Sequence, residues 1–201
     1  MHHCAEDDRR VIEKHSFHSS LSQIRDELSR TLATICQDQQ EALEQMAEMI
    51  GGAERIFVLG AGRSGLALQM TAMRLMHLGK EAYVVGETTT PAIRGGDVLL
   101  TASGSGTTGS VVRAAEQARG AGATVVCFTA RQHSPLGELA AAAVLIPAAE
   151  KLDRSGAASA QYAGSLFEQA VVIAGDALFH ALWQRSGRSA DELWPRHANI
   201  E

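Results

Sequence analysis

Residues 56–65 read Ile56-Phe57-Val58-Leu59-Gly60-Ala61-Gly62-Arg63-Ser64-Gly65. Four apolar residues run straight into a glycine-rich turn, and a helical pattern, Leu66 to Leu78, follows up to Gly79. A short apolar run closed by glycine and then a helix is the start of a βαβ unit. The pattern recurs along the chain. Tyr83-Val84-Val85, Val98-Leu99-Leu100, Val125-Val126-Cys127-Phe128 and Val144-Leu145-Ile146 read as further strands, with a helix over Val111–Arg119 and a long apolar helix over Leu166–Trp183. Continuously apolar strands alternating with helices predict an α/β three-layer sandwich, with a five-stranded parallel, doubly wound sheet covered on both faces. Ligands in that architecture bind beyond the carboxyl ends of the strands, near the point where strand order reverses.

Upstream, Leu21, Ile24, Leu28, Leu32 and Ile35 recur at helical spacing, with Ser20 or Ser22 as candidate N-cap. A second helical stretch carries Leu43, Met46 and Ile50 and stops at Gly51-Gly52. These form a helical N-terminal extension. Residues 1–17 are polar and read as a frayed terminus, and 18–201 as one domain; 201 residues suit one α/β domain better than two.

Composition removes several function classes. Aromatic residues make up 4% and net charge is -5, without a Lys/Arg block, which speaks against a nucleic-acid footprint. Cys4, Cys36 and Cys127 lie far apart, which predicts reduced thiols and a cytoplasmic setting. The start lacks an apolar signal core, and no apolar run approaches the ~20 residues of a membrane span. No His/Cys/Asp/Glu set has usable metal-ligand spacing, so neither a metal nor another cofactor is expected.

Two loops carry the chemistry. Gly60 to Gly65 formally matches G-x-G-x-x-G, and Glu87 follows the second strand as a dinucleotide site would require. The second loop, Ser103-Gly104-Ser105-Gly106-Thr107-Thr108, follows the third strand and opens the next helix. Amides at a helix N-terminus bind anions, glycines let a phosphate approach, and the hydroxyls add neutral donors. A Walker A reading fails because no Lys follows the glycines. One such loop is often only a turn; two at adjacent strand ends point to a phosphorylated ligand.

The stretches Gly62-Arg63-Ser64-Gly65, Ala72 to Gly79, Val85-Gly86-Glu87-Thr88-Thr89-Thr90-Pro91 and Ser103-Gly104-Ser105-Gly106 resemble the sugar isomerase (SIS) domain family. Within it they resemble the 6-phospho-3-hexuloisomerases. Gly164 to Glu168 and the tail Arg196-His197-Ala198-Asn199 continue the similarity, which runs from about residue 20 to the C-terminus. The chain departs from the family at Tyr162-Ala163, where Pro-Met is usual. The resemblance implies interconversion of D-arabino-hex-3-ulose 6-phosphate and D-fructose 6-phosphate without a cofactor. It also implies a homotetramer and a 3-hexulose-6-phosphate synthase as metabolic neighbour.

That reaction needs a base, an oxyanion stabiliser and a phosphate grip. Glu168, opening the long apolar helix, is the candidate base, although a simple first-turn Glu reads the same way. His197 is the candidate proton shuttle, within its own cleft or a neighbouring subunit's, against a plain surface His. Ser64, Ser103, Gly104, Ser105, Gly106, Thr107 and Thr108 are the candidate phosphate cradle. Arg63 reads equally as a phosphate ligand or an exposed turn residue, and Glu87 as a contact to sugar hydroxyls or a loop cap. His77 is expected to be a satisfied core histidine and His180 a packing residue. Met70, Met73 and Met76 read as core or subunit interface. Rival readings are a non-catalytic module sensing a sugar phosphate, a small dinucleotide-binding domain, and an isomerase of another sugar phosphate such as arabinose 5-phosphate.

Overall fold

Alternate residues along each strand part company in the computed structural model, which describes residues 16–148, 159–162 and 164–200. Ile56, Val58, Val98, Leu100, Val126 and Phe128 pack into one core with helices from both ends of the chain. Phe57, Leu99, Val125 and Cys127 face the other way, onto Val111, Ala115, Ala118 and Leu136. Both faces of the sheet are therefore buried, which is why the strands read as unbroken apolar runs.

The sheet is made of β1 (Arg55–Gly60), β2 (Glu81–Val84), β3 (Val98–Ser103), β4 (Thr124–Thr129) and β5 (Ala142–Leu145). Every pairing is parallel, in the order β2-β1-β3-β4-β5. One face carries α1 (Phe17–Asp38), α2 (Gln40–Gly52), α3 (Arg63–His77) and α6 (Ser165–Ser186). The other carries α4 (Gly109–Gly120) and α5 (Pro135–Leu139). The short α7 (Ala190–Leu193) and a 3-10 turn, Trp194–Arg196, complete the described chain. The expected three-layer α/β fold is thus present, with its switch point between β1 and β3.

Three local expectations change. Ser16, rather than Ser20 or Ser22, caps α1, its Oγ accepting from Ser19 N at 3.1 Å. The buried stripe of α1 is Glu27, Thr31 and Ile35, whereas Leu21 is exposed. The two polar residues lie inward because each meets a polar partner there: Glu27 accepts from Ser159, Ala160 and Gln161, and Thr31 Oγ1 donates to Pro147 O at 3.5 Å. Finally, α6 alone among the described helices has the length and composition to cross a membrane, contrary to the reading that no segment does. Its Leu166, Phe167, Ala170, Val171, Gly175, Leu178 and Leu182 are buried within the protein, which makes it a core helix.

Candidate active site

The strand-to-helix turn after β1 is built by a reciprocal glycine contact. A Cβ on Gly60 would come within 2.7 Å of Gly65 N, and one on Gly65 within 2.6 Å of Gly60 O. Close passage of strand end and helix start therefore accounts for the first and last glycines of G-x-G-x-x-G without a dinucleotide. It also brings the start of α3 to the switch point, with Ser64 buried and Arg63 exposed.

The second loop folds on its own hydroxyls. Ser103 Oγ and Thr108 Oγ1 lie 2.9 Å apart, and Thr107 donates through N and Oγ1 to Ser105 Oγ at 3.3 and 2.9 Å. The loop opens α4, whose first N–H groups have no partner within the helix. Gly106 has a task within the fold. Its φ is 63°, its carbonyl accepts from Leu136 N at 3.0 Å, and a Cβ there would lie 2.1 Å from Ser134 Oγ. It fastens the loop to α5.

The third wall is the first turn of α6. Gly104 lies against the Phe167 ring, where a Cβ would be 3.6 Å from Cγ. Helices α3 and α6 run so close that a Cβ on Gly175 would meet Thr71 Oγ1 at 2.1 Å. That proximity sets Arg63 beside Glu168, and Arg63 Nε donates to Glu168 Oε2. The Glu168 side chain is 18% exposed, in the first turn of a helix whose dipole favours an anion.

Together these elements line a cleft of about 520 Å³. Ala61 to Ser64, Ala102 to Ser105, Thr108, Tyr162, Gly164, Ser165, Phe167 and Glu168 form its walls. Of the sequence-predicted residues it gathers Arg63, Ser64, Ser103, Gly104, Ser105, Thr108 and Glu168. Gly106, Thr107 and Glu87 are absent from its lining; Thr107 and Glu87 are exposed, and the Glu87 amide and carbonyl bond to Val84 and Thr90.

The tail histidine lies elsewhere in the chain. His197 stacks on His77 with ring centroids 4.0 Å apart, and Trp194 tilts against His197 at 4.6 Å. His77 ends α3 and Arg63 begins it. At 1.5 Å per residue the two sites are about 21 Å apart along the helix. His77 is buried as expected but is not satisfied, because its Nδ1 has no hydrogen-bond partner. Burial, with His197 and Arg74 nearby, holds its pKa below the ordinary 6.5. His180 is exposed, touching Trp183 only edge-on, so it is not core packing. Met70, Met73 and Met76 are exposed as well, which removes the core reading for them. Among the described residues no group of three or more His, Cys, Asp or Glu could hold a metal.

A model of the SIS domain matches residues 49–174, from the end of α2 through the first half of α6. The chain belongs to the SIS domain family. A 3-hexulose-6-phosphate isomerase from Mycobacterium gastri is 51% identical over 91% of this chain and 90% of its own. A second 3-hexulose-6-phosphate isomerase, from Bacillus subtilis, is 35% identical over 90% and 97%. A solved Methanococcus jannaschii structure, described as inferring a molecular function of 3-hexulose-6-phosphate isomerase, superposes with a TM-score of 0.76. It is 28% identical and covers 91% of this chain and 99% of that one. The cleft of this SIS domain lies inside the matched span, whereas the His77–His197 stack depends on a tail beyond it.

Sequence reading missed Glu27, which reaches this wall from α1. Its carboxylate accepts from Ser159, Ala160 and Gln161, just before Tyr162. A Glu at a helical position beside apolar neighbours reads as solvated. The only signal lay in the i, i+4 run of Glu27 with Thr31 and Ile35, which is visible only once the inner face is known.

Proposed function

We propose that this SIS domain interconverts D-arabino-hex-3-ulose 6-phosphate and D-fructose 6-phosphate through an enediolate. The observation that carries the proposal is one cleft holding a hydroxyl-rich anion cradle and a carboxylate at a helix start. The 51% identity to a 3-hexulose-6-phosphate isomerase over nearly the whole chain selects the substrate.

The chemistry follows from the substrate. With O6 phosphorylated, the C3 ketone has no hydroxyl that closes a five- or six-membered ring, so the hexulose enters open-chain. Glu168 takes the C2 proton, the C3 carbonyl becomes an enediolate oxygen, and the proton returns at C3 as the ketone forms at C2. Ser64, Ser103, Ser105 and Thr108, with the amides opening α4, hold the phosphate away from the reacting carbons. Arg63 steers Glu168 and meets the incoming dianion. The hydroxyl proton that must pass between O2 and O3 falls to His197 of a neighbouring subunit, since the chain's own His197 sits at the far end of α3.

A homo-oligomer, most simply a tetramer, fits an exposed apolar stripe of Leu66, Met70 and Met73 on α3 beside Ile173 on α6. A cytoplasmic setting fits free thiols at Cys36 and Cys127, the latter buried with its pKa pushed up to about 12. A formaldehyde-fixing synthase would supply the hexulose. The deciding experiment supplies the hexulose phosphate with a chelator present and no nicotinamide, and follows fructose 6-phosphate by carbon NMR. Catalysed conversion is expected. No conversion, or conversion only after a divalent metal or nicotinamide is added, overturns the proposal.

A further inference from the structure

Glu27 is the least ordinary residue of α1. It is 7% exposed, yet among the described residues its hydrogen-bond partners are neutral donors, none of them basic. Ser159 Oγ and Gln161 Nε2 donate to Oε2 at 2.6 and 3.1 Å; Ala160 N and Gln23 Nε2 donate to Oε1 at 3.1 and 3.4 Å. Three of the four come from one short segment more than 130 residues further on. A buried carboxylate costs several kcal/mol in desolvation unless donors replace its water, and here four do. An ionised carboxylate offers only acceptors, so the site demands a charge rather than an amide.

That demand passes along a chain of amides. Because Glu27 only accepts, Gln161 must turn Nε2 toward it and leave Oε1 on the other side. Gln161 Oε1 then accepts from Gln169 Nε2 at 2.8 Å. Gln169 follows Glu168 directly in the first turn of α6, and Phe167, on the other side, lies against Gly104. Among the described residues Gln169 Oε1 is buried with no partner, and the side chain's hydrogen bond is its donation to Gln161. The contacts that hold the turn presenting Glu168 thus include one apolar, at Gly104, and one that begins at Glu27, beside the Arg63–Glu168 pair. The same segment continues to Tyr162, whose carbonyl accepts from Ser165 N at 3.1 Å and Ser165 Oγ at 2.7 Å, both at the cleft wall.

We infer that Glu27 is a positioning residue for Glu168, acting through Gln161 and Gln169 to fix the first turn of α6 against the cleft. The inference rests on the proposed role of Glu168 as base. In a Glu27→Gln protein the new amide places a donor among donors, Gln161 is free to reverse, and Gln169 loses its partner. A base displaced by a fraction of an ångström loses rate, not phosphate affinity, because the phosphate cradle belongs to the start of α3 and the loop from β3 to α4, not to α6.

The test compares wild type, Glu27→Gln and Gln161→Ala, the last cutting the chain while leaving the Glu27 carboxylate its donors Ser159, Ala160 and Gln23. Per folded molecule, kcat should fall about 10- to 100-fold in both variants. The inhibition constant of inorganic phosphate should stay unchanged. Hydrogen exchange at the amides of Glu168, Gln169 and Ala170 should quicken, while α4 keeps its protection. Should Glu27→Gln fail to fold, Gln161→Ala carries the same three readouts. Wild-type kcat with unchanged exchange overturns the inference, as does a loss in which kcat and phosphate affinity fall together. If the wild-type protein does not isomerise the hexulose phosphate, the proposed function fails on its own. The exchange comparison then decides the positioning role, faster exchange supporting it and unchanged exchange overturning it.

Discussion

Helix α3 ends in two different worlds. Its first residue, Arg63, is exposed, pairs with Glu168 and faces a cleft walled by hydroxyls and glycines. Its last, His77, is buried, lacks a partner at Nδ1 and lies under the ring of His197. Both ends carry residues that look catalytic in the sequence. The difference follows from the direction of a parallel sheet. All strands deliver their carboxyl ends to the Arg63 side, where loops stop short and helix N-termini converge, so an anion meets unpaired donors there. The His77 side receives strand starts and a helix C-terminus; the dipole there favours a cation, but burial first, then His197 and Arg74, lowers the His77 pKa.

Breaking the Arg63 end should have the largest effect. Glu168→Gln preserves shape but cannot take the C2 proton. Turnover should fall about 10²- to 10⁴-fold while fructose 6-phosphate still binds. Turnover at the wild-type rate would move the base elsewhere, first to Glu87 and then to His197.

The contrast between the ends is sharpened by asking whether His197 serves another chain's cleft. His197→Ala should lower turnover by about 10²-fold. Mixing it with Glu168→Gln subunits under exchange conditions should restore activity, because hybrid oligomers contain some clefts with both groups intact. No restoration on mixing would confine His197 to its stack on His77.

A smaller loss is expected at the phosphate cradle. Ser105→Ala removes one hydrogen bond to a charged group, about 1.5–3 kcal/mol, which weakens substrate binding roughly 10- to 150-fold. An unchanged Michaelis constant together with unchanged turnover would remove Ser105 from the cradle.

The smallest effect belongs to the His77 end and appears in stability rather than rate. Burial first, then His197 and Arg74, hold the His77 pKa below 6.5. The unfolded chain therefore binds more protons than the native one just below that value. Stability should be fully present above pH 6.5 and decline as pH falls below it, toward the depressed native pKa. His77→Phe, which keeps the ring and removes the titration, should flatten that part of a denaturation series. An unchanged slope would assign it to another group.

How much of this was legible can be read from single residues. Leu59-Gly60 and Ser103-Gly104 announced strand ends and anion loops because apolar period and glycine placement are local properties. The place of Glu168 in the first turn of an apolar helix was legible for the same local reason. The contact of Gly106 with Ser134 left no mark in the sequence beyond the glycine itself, because it joins segments 28 residues apart. The sequence shows the Thr107 hydroxyl but not its direction, which is back onto Ser105.

By itself, then, the sequence determined the five-strand α/β sandwich, the two loops at its switch point and the charge at the head of α6. These depend on neighbours a few residues away and on a handedness that all parallel crossovers share. The tertiary structure alone decided which groups meet: Arg63 with Glu168, His77 with His197 rather than with the cleft, and Glu27 with residues 159–161. Such pairings are long-range, and a carboxylate reads the same in a sequence whether water or four buried donors surround it.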